Sequence, residues 1–425
     1  MNDKKDKIVV IGLLVLLLGG IGAYFFFTNG SLSGKVSGSS ISANVKSQIS
    51  DTNWDSYDSN DITLNDKSIE ITKEGTYTLT GEIKDGLIYI NTDGNVKLIL
   101  NGVSVTNSKG PAIYVENAEK VEIETVKGTT NYLEDGSSYS GYDEEIEGVI
   151  YSKDDLVLSG NGLLKIIANL GDAIVSKDDL KITSASYNIQ AADDAIKGKD
   201  SVEITGGTFT IDAKGDGIKS TNDTDSSKGF ILISGGTYNI SANDAIDAET
   251  NINITGGTFT INALEDGIHA NGLLQIDGGT INVTGGEGLE ATYVKINDGT
   301  INISATDDGI NAANKSSAYS IAVEINGGNI TIKMGQGDTD GIDSNGNLYI
   351  NGGTINITGQ SPFDYDGEAK YTGGTMIVNG EKTTSISNQF GGAGGMHGGQ
   401  MQGGKMNVPN GNEQRGNGNM RGGRR

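Results

Sequence analysis

One short phrase recurs eight times within residues 171–359, and it narrows the possible folds more than any other feature of the chain. It reads Asp-(Gly/Ala)-Ile, a polar stretch, then x-Ile-x-Gly-Gly-Thr-x-x-Ile-x-Ala. The copies open at Asp172, Asp194, Asp216, Asp244, Asp266, Glu287, Asp308 and Asp340. Successive openings lie 22, 22, 28, 22, 21, 21 and 32 residues apart. A near-constant period of this size marks a solenoid, whose repeats pack only on their neighbours.

Residues 201–213 show what one repeat does. Val202 and Ile204 alternate with polar residues, and after the Gly206-Gly207 pair so do Phe209, Ile211 and Ala213. Period two on both sides of a glycine pair means two half-buried strands joined by a bend, and Ile196 begins a third. One such unit cannot bury its apolar edge, whereas stacked copies share a core, pairing in parallel about 4.8 Å apart. The expected fold is all-β: a right-handed parallel β-helix with three faces and about 22 residues per coil. The 65 glycines, many paired at one phase of the repeat, suit corners that need unusual φ values. The low count of three prolines suits a chain whose N–H groups are needed in ladders.

The pattern weakens toward both ends. Residues 51–80, with Trp54, are expected to form or precede an end cap, and residues 363–386 to add one or two final coils. Residues 1–30 differ: Lys4, Lys5 and Lys7 precede an apolar run at residues 8–27, long enough to span a bilayer. Positive charge stays inside, so an uncleaved, single-pass anchor with the solenoid on the extracellular side is expected. Residues 31–50 read as a Ser/Gly linker, 51–390 as the β-helix domain and 391–425 as a tail disordered by composition. The tail carries five basic residues and one acidic, a net of +4; the whole chain is −24, so residues 1–390 carry −28. So acidic a body argues against nucleic-acid binding. The chain has no cysteine and hence no disulfide; it is expected to be a monomer.

Stacked repeats also stack their acids. Asp194, Asp216, Asp244 and Asp266 should form a file at roughly 5 Å spacing, with Asp308 and Asp340 further along. Like charges so close repel by about 1 kcal/mol per neighbour even in water. A hard divalent cation would turn that repulsion into ligation, and calcium, with six to eight oxygen ligands, suits it. Further oxygen donors recur beside the file at Asp193, Asn243, Asp247, Asp307 and Asn311. The densest run is Asp338-Thr-Asp340-Gly-Ile-Asp343-Ser-Asn345-Gly346. The alternative is that these Asp and Asn residues only build turns and hydrogen-bond backbone.

Beside the file, Thr208/Thr210, Thr237/Asn239, Thr258/Thr260, Thr280/Asn282, Thr300/Asn302 and Thr354/Asn356 form a hydroxyl and amide ladder able to meet a periodic polymer. Insertions at residues 221–228 and 315–320 are expected to interrupt it, which counts against an ice-binding face. Aromatics able to stack on sugar rings are Tyr132, Tyr139 and Tyr142 before the repeats and Phe363, Tyr365 and Tyr371 near the last coil, though packing at the coil ends explains them equally well.

Several motifs occur in a recognisable order: Thr76-Tyr77-Thr78-Leu79-Thr80-Gly81, Leu100-Asn101-Gly102-Val103, Gly110-Pro111-Ala112-Ile113, Ser176-Lys177-Asp178-Asp179-Leu180, Asp216-Gly217-Ile218-Lys219-Ser220, Asp340-Gly341-Ile342-Asp343-Ser344-Asn345-Gly346 and Asp364-Tyr365-Asp366-Gly367. Together they closely resemble the bacterial cell-surface carbohydrate-binding β-helix family, which binds cellulose and acidic sugars such as polygalacturonate. The resemblance runs over about residues 62–380. It implies a pectate-lyase-like β-helix, calcium between coils, a polysaccharide partner and no established catalysis. On matching positions it implies Asp194, Asp216, Asp244, Asp266, Asp308, Asp340 and Asp343 as metal ligands. The pattern breaks at Glu287, and His269 stands where three other copies have Asp or Asn.

The rival classes are a polysaccharide lyase or hydrolase and a structural stalk or adhesin. Lyases of this type resemble one another in using an arginine base, and this chain has no arginine before Arg415. The adjacent pairs Asp154-Asp155 and Asp193-Asp194 point to opposite sides of a strand, whereas glycosidase carboxylates face one sugar across about 5 or 6.5–9.5 Å. No catalytic residue is assigned, and a binding module is the expectation.

Overall fold

The computed structural model describes residues 49–142, 146–337 and 339–388. These residues form 37 strands and one 3₁₀ turn, Trp54–Ser56; among them there is no α-helix. The proposed anchor at residues 1–30, the linker through residue 48 and the tail at 391–425 lie outside the described residues. Coil after coil, each strand pairs in parallel with its counterpart on the next coil, which through most of the stack is the strand three positions later. Ile196–Gly198 pairs in parallel with Ile218–Ser220, Ser201–Ile204 with Phe230–Ile233, and Thr208–Ala213 with Thr237–Ala242. These three strands of one coil define faces A, B and C of a parallel β-solenoid. A hairpin of Thr375–Val378 with Glu381–Thr383 supplies the antiparallel pair at its end.

The alternation read in the sequence is what closes the coil. Thr208–Ala213, Thr237–Ala242, Thr258–Ala263 and Thr300–Ala305 each alternate exposed and buried residues in strict period two. On face A, Ile113, Ile150, Ile174, Ile196, Ile218, Ile246, Ile268, Leu289, Ile310, Ile342 and Phe363 stack in register, none more than 1% exposed. Burying each is worth about 1.5–3 kcal/mol, a gain realised only on stacking. Behind face C, Tyr187, Phe209, Tyr238 and Phe259 stack with ring centroids 4.9, 4.8 and 4.5 Å apart.

The paired glycines serve two separate needs. Gly207 turns the B–C corner at φ +118°, while a Cβ on Gly206 would lie 2.8 Å from the Thr183 carbonyl oxygen. One coil earlier Ala185 takes the same corner at φ 81°, a conformation that favours glycine. Trp54 packs on the side of the stack rather than its end: its Nε1 donates to Glu122 Oε2 at 2.6 Å, and Lys97 Nζ sits 5.7 Å from its ring centroid. Ser59–Asn65 is already a strand of the stack, paired with Gly75–Ile83.

The insertions fall at particular corners. Residues 221–228 lie between Ile218–Ser220 and Phe230–Ile233, and residues 315–320 between Ile310–Ala312 and Ala322–Ile325, so both leave the A–B corner. Neither enters face C, which corrects the expectation that they interrupt its hydroxyl ladder.

Candidate functional site

The acid that opens each repeat enters face A, and the structure gives one of its oxygens a backbone task. Asp172 Oδ1 accepts the N–H of Asp194 at 2.9 Å, Asp194 that of Asp216 at 2.8 Å, Asp216 that of Asp244 at 3.1 Å and Asp244 that of Asp266 at 2.8 Å. The ladder resumes where Asp308 accepts from Asp340 at 3.0 Å. Between them it breaks: the Glu287 N–H bonds to the Glu265 carbonyl instead. Hydrogen bonds to an ionised acceptor are worth about 1.5–3 kcal/mol each, so the file has a structural role between coils.

The second oxygens meet a neighbouring outward row on face A, which runs in register through Val175, Lys197, Lys219, Asp247, His269, Glu290, Asn311, Asp343 and Asp364. Its first part is cationic. Lys197 Nζ lies 2.6 Å from Asp172 Oδ2 and 3.5 Å from Asp194 Oδ2; Lys219 Nζ lies 2.5 Å from Asp216 Oδ2 and 3.6 Å from Asp247 Oδ2. Burial works against both ammonium groups, but these carboxylates outweigh it and hold their pKa values above the ordinary lysine range. Asp172 is pushed up to about 7 by burial, against the pull of Lys197.

Beyond Asp247 the row turns acidic. Burial, reinforced by neighbouring carboxylates, pushes Asp244 and Asp308 up to about 6, Asp266 and Asp343 to about 7 and Glu287 to about 8. The charges acting on Asp343 are Asp308, Asp364, Asp340 and Asp366, all negative. In the same stretch Asn311 Oδ1 and Asp364 Oδ1 are buried and accept no hydrogen bond. Asn311 spends its amide on Glu287 Oε2 at 3.0 Å and Glu290 Oε1 at 3.1 Å.

The metal-ligand candidates read from the sequence therefore separate. Asp194, Asp216, Asp244, Asp266, Asp308 and Asp340 share the file, and Asp247 and Asp343 the row beside it. Asp193 is exposed and gathers with Asp172 and Asp194, where Lys197 already supplies a positive charge. Asp307 is exposed one residue before the file. Asn345 is exposed, and its amide points at Asp343 Oδ2, 3.4 Å away; Asp338 lies outside the described residues.

The aromatic candidates are mostly packing groups. Phe363 is 1% exposed and ends the face A core ladder, so it cannot stack on a sugar; this corrects its reading as a surface ligand. Tyr139 donates to Asp135 Oδ2 at 2.8 Å, and Tyr142 rests edge-on against Tyr114 with centroids 5.9 Å apart. Tyr365 packs on the core and Tyr371 donates to the Gly374 carbonyl at 2.8 Å. Tyr132 projects from face C, bonded to Glu134 at 2.6 Å. The sequence reading passed over a further cluster, Asp155, Asp178 and Asp179, with ligand atoms within 4.8 Å of one another; the repeated Ser-Lys-Asp-Asp-Leu was its signal.

Face C carries the second notable surface. Three outward rows run in unbroken register over eight coils, from Ser186, Asn188 and Gln190 to Thr354, Asn356 and Thr358. Eight coils times three rows give 24 positions, and only Asp212 and Lys333 among them are charged. At the chain's average of 20% charged residues, about five would be. The face is thus a flat grid of hydroxyl and amide groups, about 4.8 Å between coils and about 6.8 Å along each strand.

An acid-lined seam and an uncharged polar grid thus lie on one parallel β-solenoid. A family model described as carbohydrate-binding domain-containing protein matches residues 65–265 and 262–414, and the chain belongs to this family. A carbohydrate-binding domain-containing protein of Acetivibrio thermocellus is 43% identical over 212 residues, covering 49% of this chain and 73% of that protein. A solved polysaccharide lyase-like protein from C. thermocellum, a gadolinium derivative, is 34% identical, covers 51% of this chain and 85% of its own, and superposes with a TM-score of 0.44.

Proposed function

We propose that the chain is a non-catalytic, extracellular polysaccharide-binding protein, a right-handed β-helix held at the membrane by residues 1–30 and stabilised by calcium in its C-terminal coils. The observation that carries the binding reading is face C. A polymer meeting it gives up few charge–water contacts, and its hydroxyls face donors and acceptors repeating in two directions. An uncharged, flat glucan such as cellulose fits that surface. The right hand follows from the general chirality of parallel crossover connections.

Calcium fits the residues at the C-terminal end of face A. Asp308, Asn311, Asp343 and Asp364 would hold it, because the buried acceptors Asn311 Oδ1 and Asp364 Oδ1 lack donors there and the acids near Asp343 have no lysine among them. When bound, calcium would neutralise the seam and present a hard Lewis acid to oxygen ligands. A second reading, an acidic glycan such as polygalacturonate along face A, rests on that same cluster, since a body of −28 repels an acidic polymer unless the seam is neutralised.

Retention of the full chain on insoluble cellulose and on polygalacturonate, in calcium and in chelator, tests both. Binding to cellulose is expected in both buffers and should weaken at least tenfold when Thr210, Thr260 and Asn302 are changed together to Glu. Failure to retain either polymer in calcium would sink the binding reading; an unsaturated, ultraviolet-absorbing product from polygalacturonate would favour a lyase.

A further inference from the structure

At one coil the seam changes its donor chemistry. Asp266, His269 and Glu290 each bring one ligand atom to within 4.8 Å of the others. His269 Nδ1 lies 2.8 Å from Asp247 Oδ1, which fixes the ring and leaves Nε2 facing Glu290. That Nε2 is closed to solvent and has no hydrogen-bond partner. Glu290 is 4% exposed; its Oε1 is taken by Lys315 Nζ at 2.9 Å and Asn311 Nδ2 at 3.1 Å, leaving Oε2 toward the imidazole.

The break in the ladder supplies the third donor. The earlier acids of the file hold the next coil's N–H, but the Glu287 N–H goes to the Glu265 carbonyl. Asp266 therefore has no next-coil amide to hold, while its own backbone is fixed by Asp244 at 2.8 Å. His269 Nε2 and Glu290 Oε2 are 3.5 Å apart, long for a hydrogen bond. A tetrahedral ion with bonds of about 2.0–2.2 Å has ligand–ligand edges of about 3.3–3.6 Å, so that spacing is an edge of such a site.

We propose that Asp266, His269 and Glu290 form a binding site for one divalent transition-metal ion of the zinc class, with Asp247 holding the imidazole from behind. One imidazole and two carboxylates are a ligand set that zinc accepts and that calcium, an oxygen-seeking ion, does not prefer. A carboxylate on the distal ring nitrogen is the usual companion of a metal-bound histidine, setting tautomer and basicity. Lys315 opposes the ion electrostatically, but it is bound to the oxygen that the site does not use. The site gives a chemical reason for a histidine between Asp247 and Glu290 in the row beside the file.

The test is zinc titration of the full chain with calcium in excess throughout, which keeps oxygen-only positions filled. His397→Ala removes the chain's other histidine. One zinc equivalent should bind, and cobalt in its place should give intense visible bands with a nitrogen ligand detected by X-ray absorption. His269→Asp should weaken zinc binding by about 10–100-fold with the circular dichroism unchanged; Glu290→Gln, a smaller change in shape, should weaken it at least tenfold. Absence of stoichiometric zinc binding by the folded His397→Ala chain would overturn the proposal. So would an affinity that neither variant alters, or a cobalt spectrum with oxygen ligands alone.

Discussion

The two ends of the face A seam solve one problem in different ways. From Asp172 to Lys219 and from Asp308 to Asp364 the backbone repeats the same coil and the same carboxylate-to-amide bond. In the first stretch, Lys197 and Lys219 answer the acids with ammonium groups that belong to the chain. In the second, the equivalent positions are Asn311, Asp343 and Asp364, and under the calcium proposal the balancing charge comes from outside. A fold can thus hold its geometry constant while moving part of its electrostatic stability from sequence to solvent composition.

The largest test attacks the built-in cation. Lys197→Met leaves Asp172, 1% exposed, without its partner, and should destabilise the chain by about 3–5 kcal/mol in denaturant melts. A loss below about 1 kcal/mol would mean that the lysines do not balance the seam. Next, chelation should lower stability by about 2.7 kcal/mol relative to calcium at a hundredfold its dissociation constant. Hydrogen exchange should place that loss in the coils after Asp308, and equal loss around Asp194 would erase the contrast. Asn311→Lys makes the C-terminal coil resemble the N-terminal one, since Lys219 and Asn311 both stand three residues after a file acid. It should at least halve the chelator-induced shift in Tm.

A separate effect should appear with pH in chelator. Burial raises Asp172 and Asp178 to about 7 and Asp155 to about 6, against an unfolded value near 4. Between about pH 4 and 7 the folded chain therefore holds protons that the unfolded chain has released, so stability falls as pH rises through that window. Tm should rise on acidification from pH 8 to 5; a flat profile would mean these acids are screened. The smallest effect is Ala185→Gly, which relieves a left-handed alanine and should stabilise by at most about 1 kcal/mol.

The solenoid was legible because period-two alternation and a period near 22 residues reinforce each other in every copy from Asp172 to Asp340. The file of acids was legible for the same reason. Its hydrogen-bonding was not, because Asp194 Oδ1 bonds a residue 22 positions away, and turn rules describe only near neighbours. The cationic-to-acidic row emerges only when copies of unequal length are aligned by strand register, since each of its residues looks unremarkable in its own repeat. Phe363 was misplaced because the last coil drops the Asp-Gly-Ile phrase, and only its pairing opposite Ile342 puts it in the core. The even run of face C was hidden by insertions that leave the coil at another corner.

The carboxylate ladder also has a direction. Every acceptor lies on the earlier coil and every donor on the later one, from Asp172 onward. Except at the Glu287 coil, where the ladder is interrupted, a coil joining the growing stack finds its acceptor already positioned. Since the N-terminal part of a chain is made first and can fold first, assembly order and bond polarity run the same way. The molecule is, in that sense, a template that copies its own last layer.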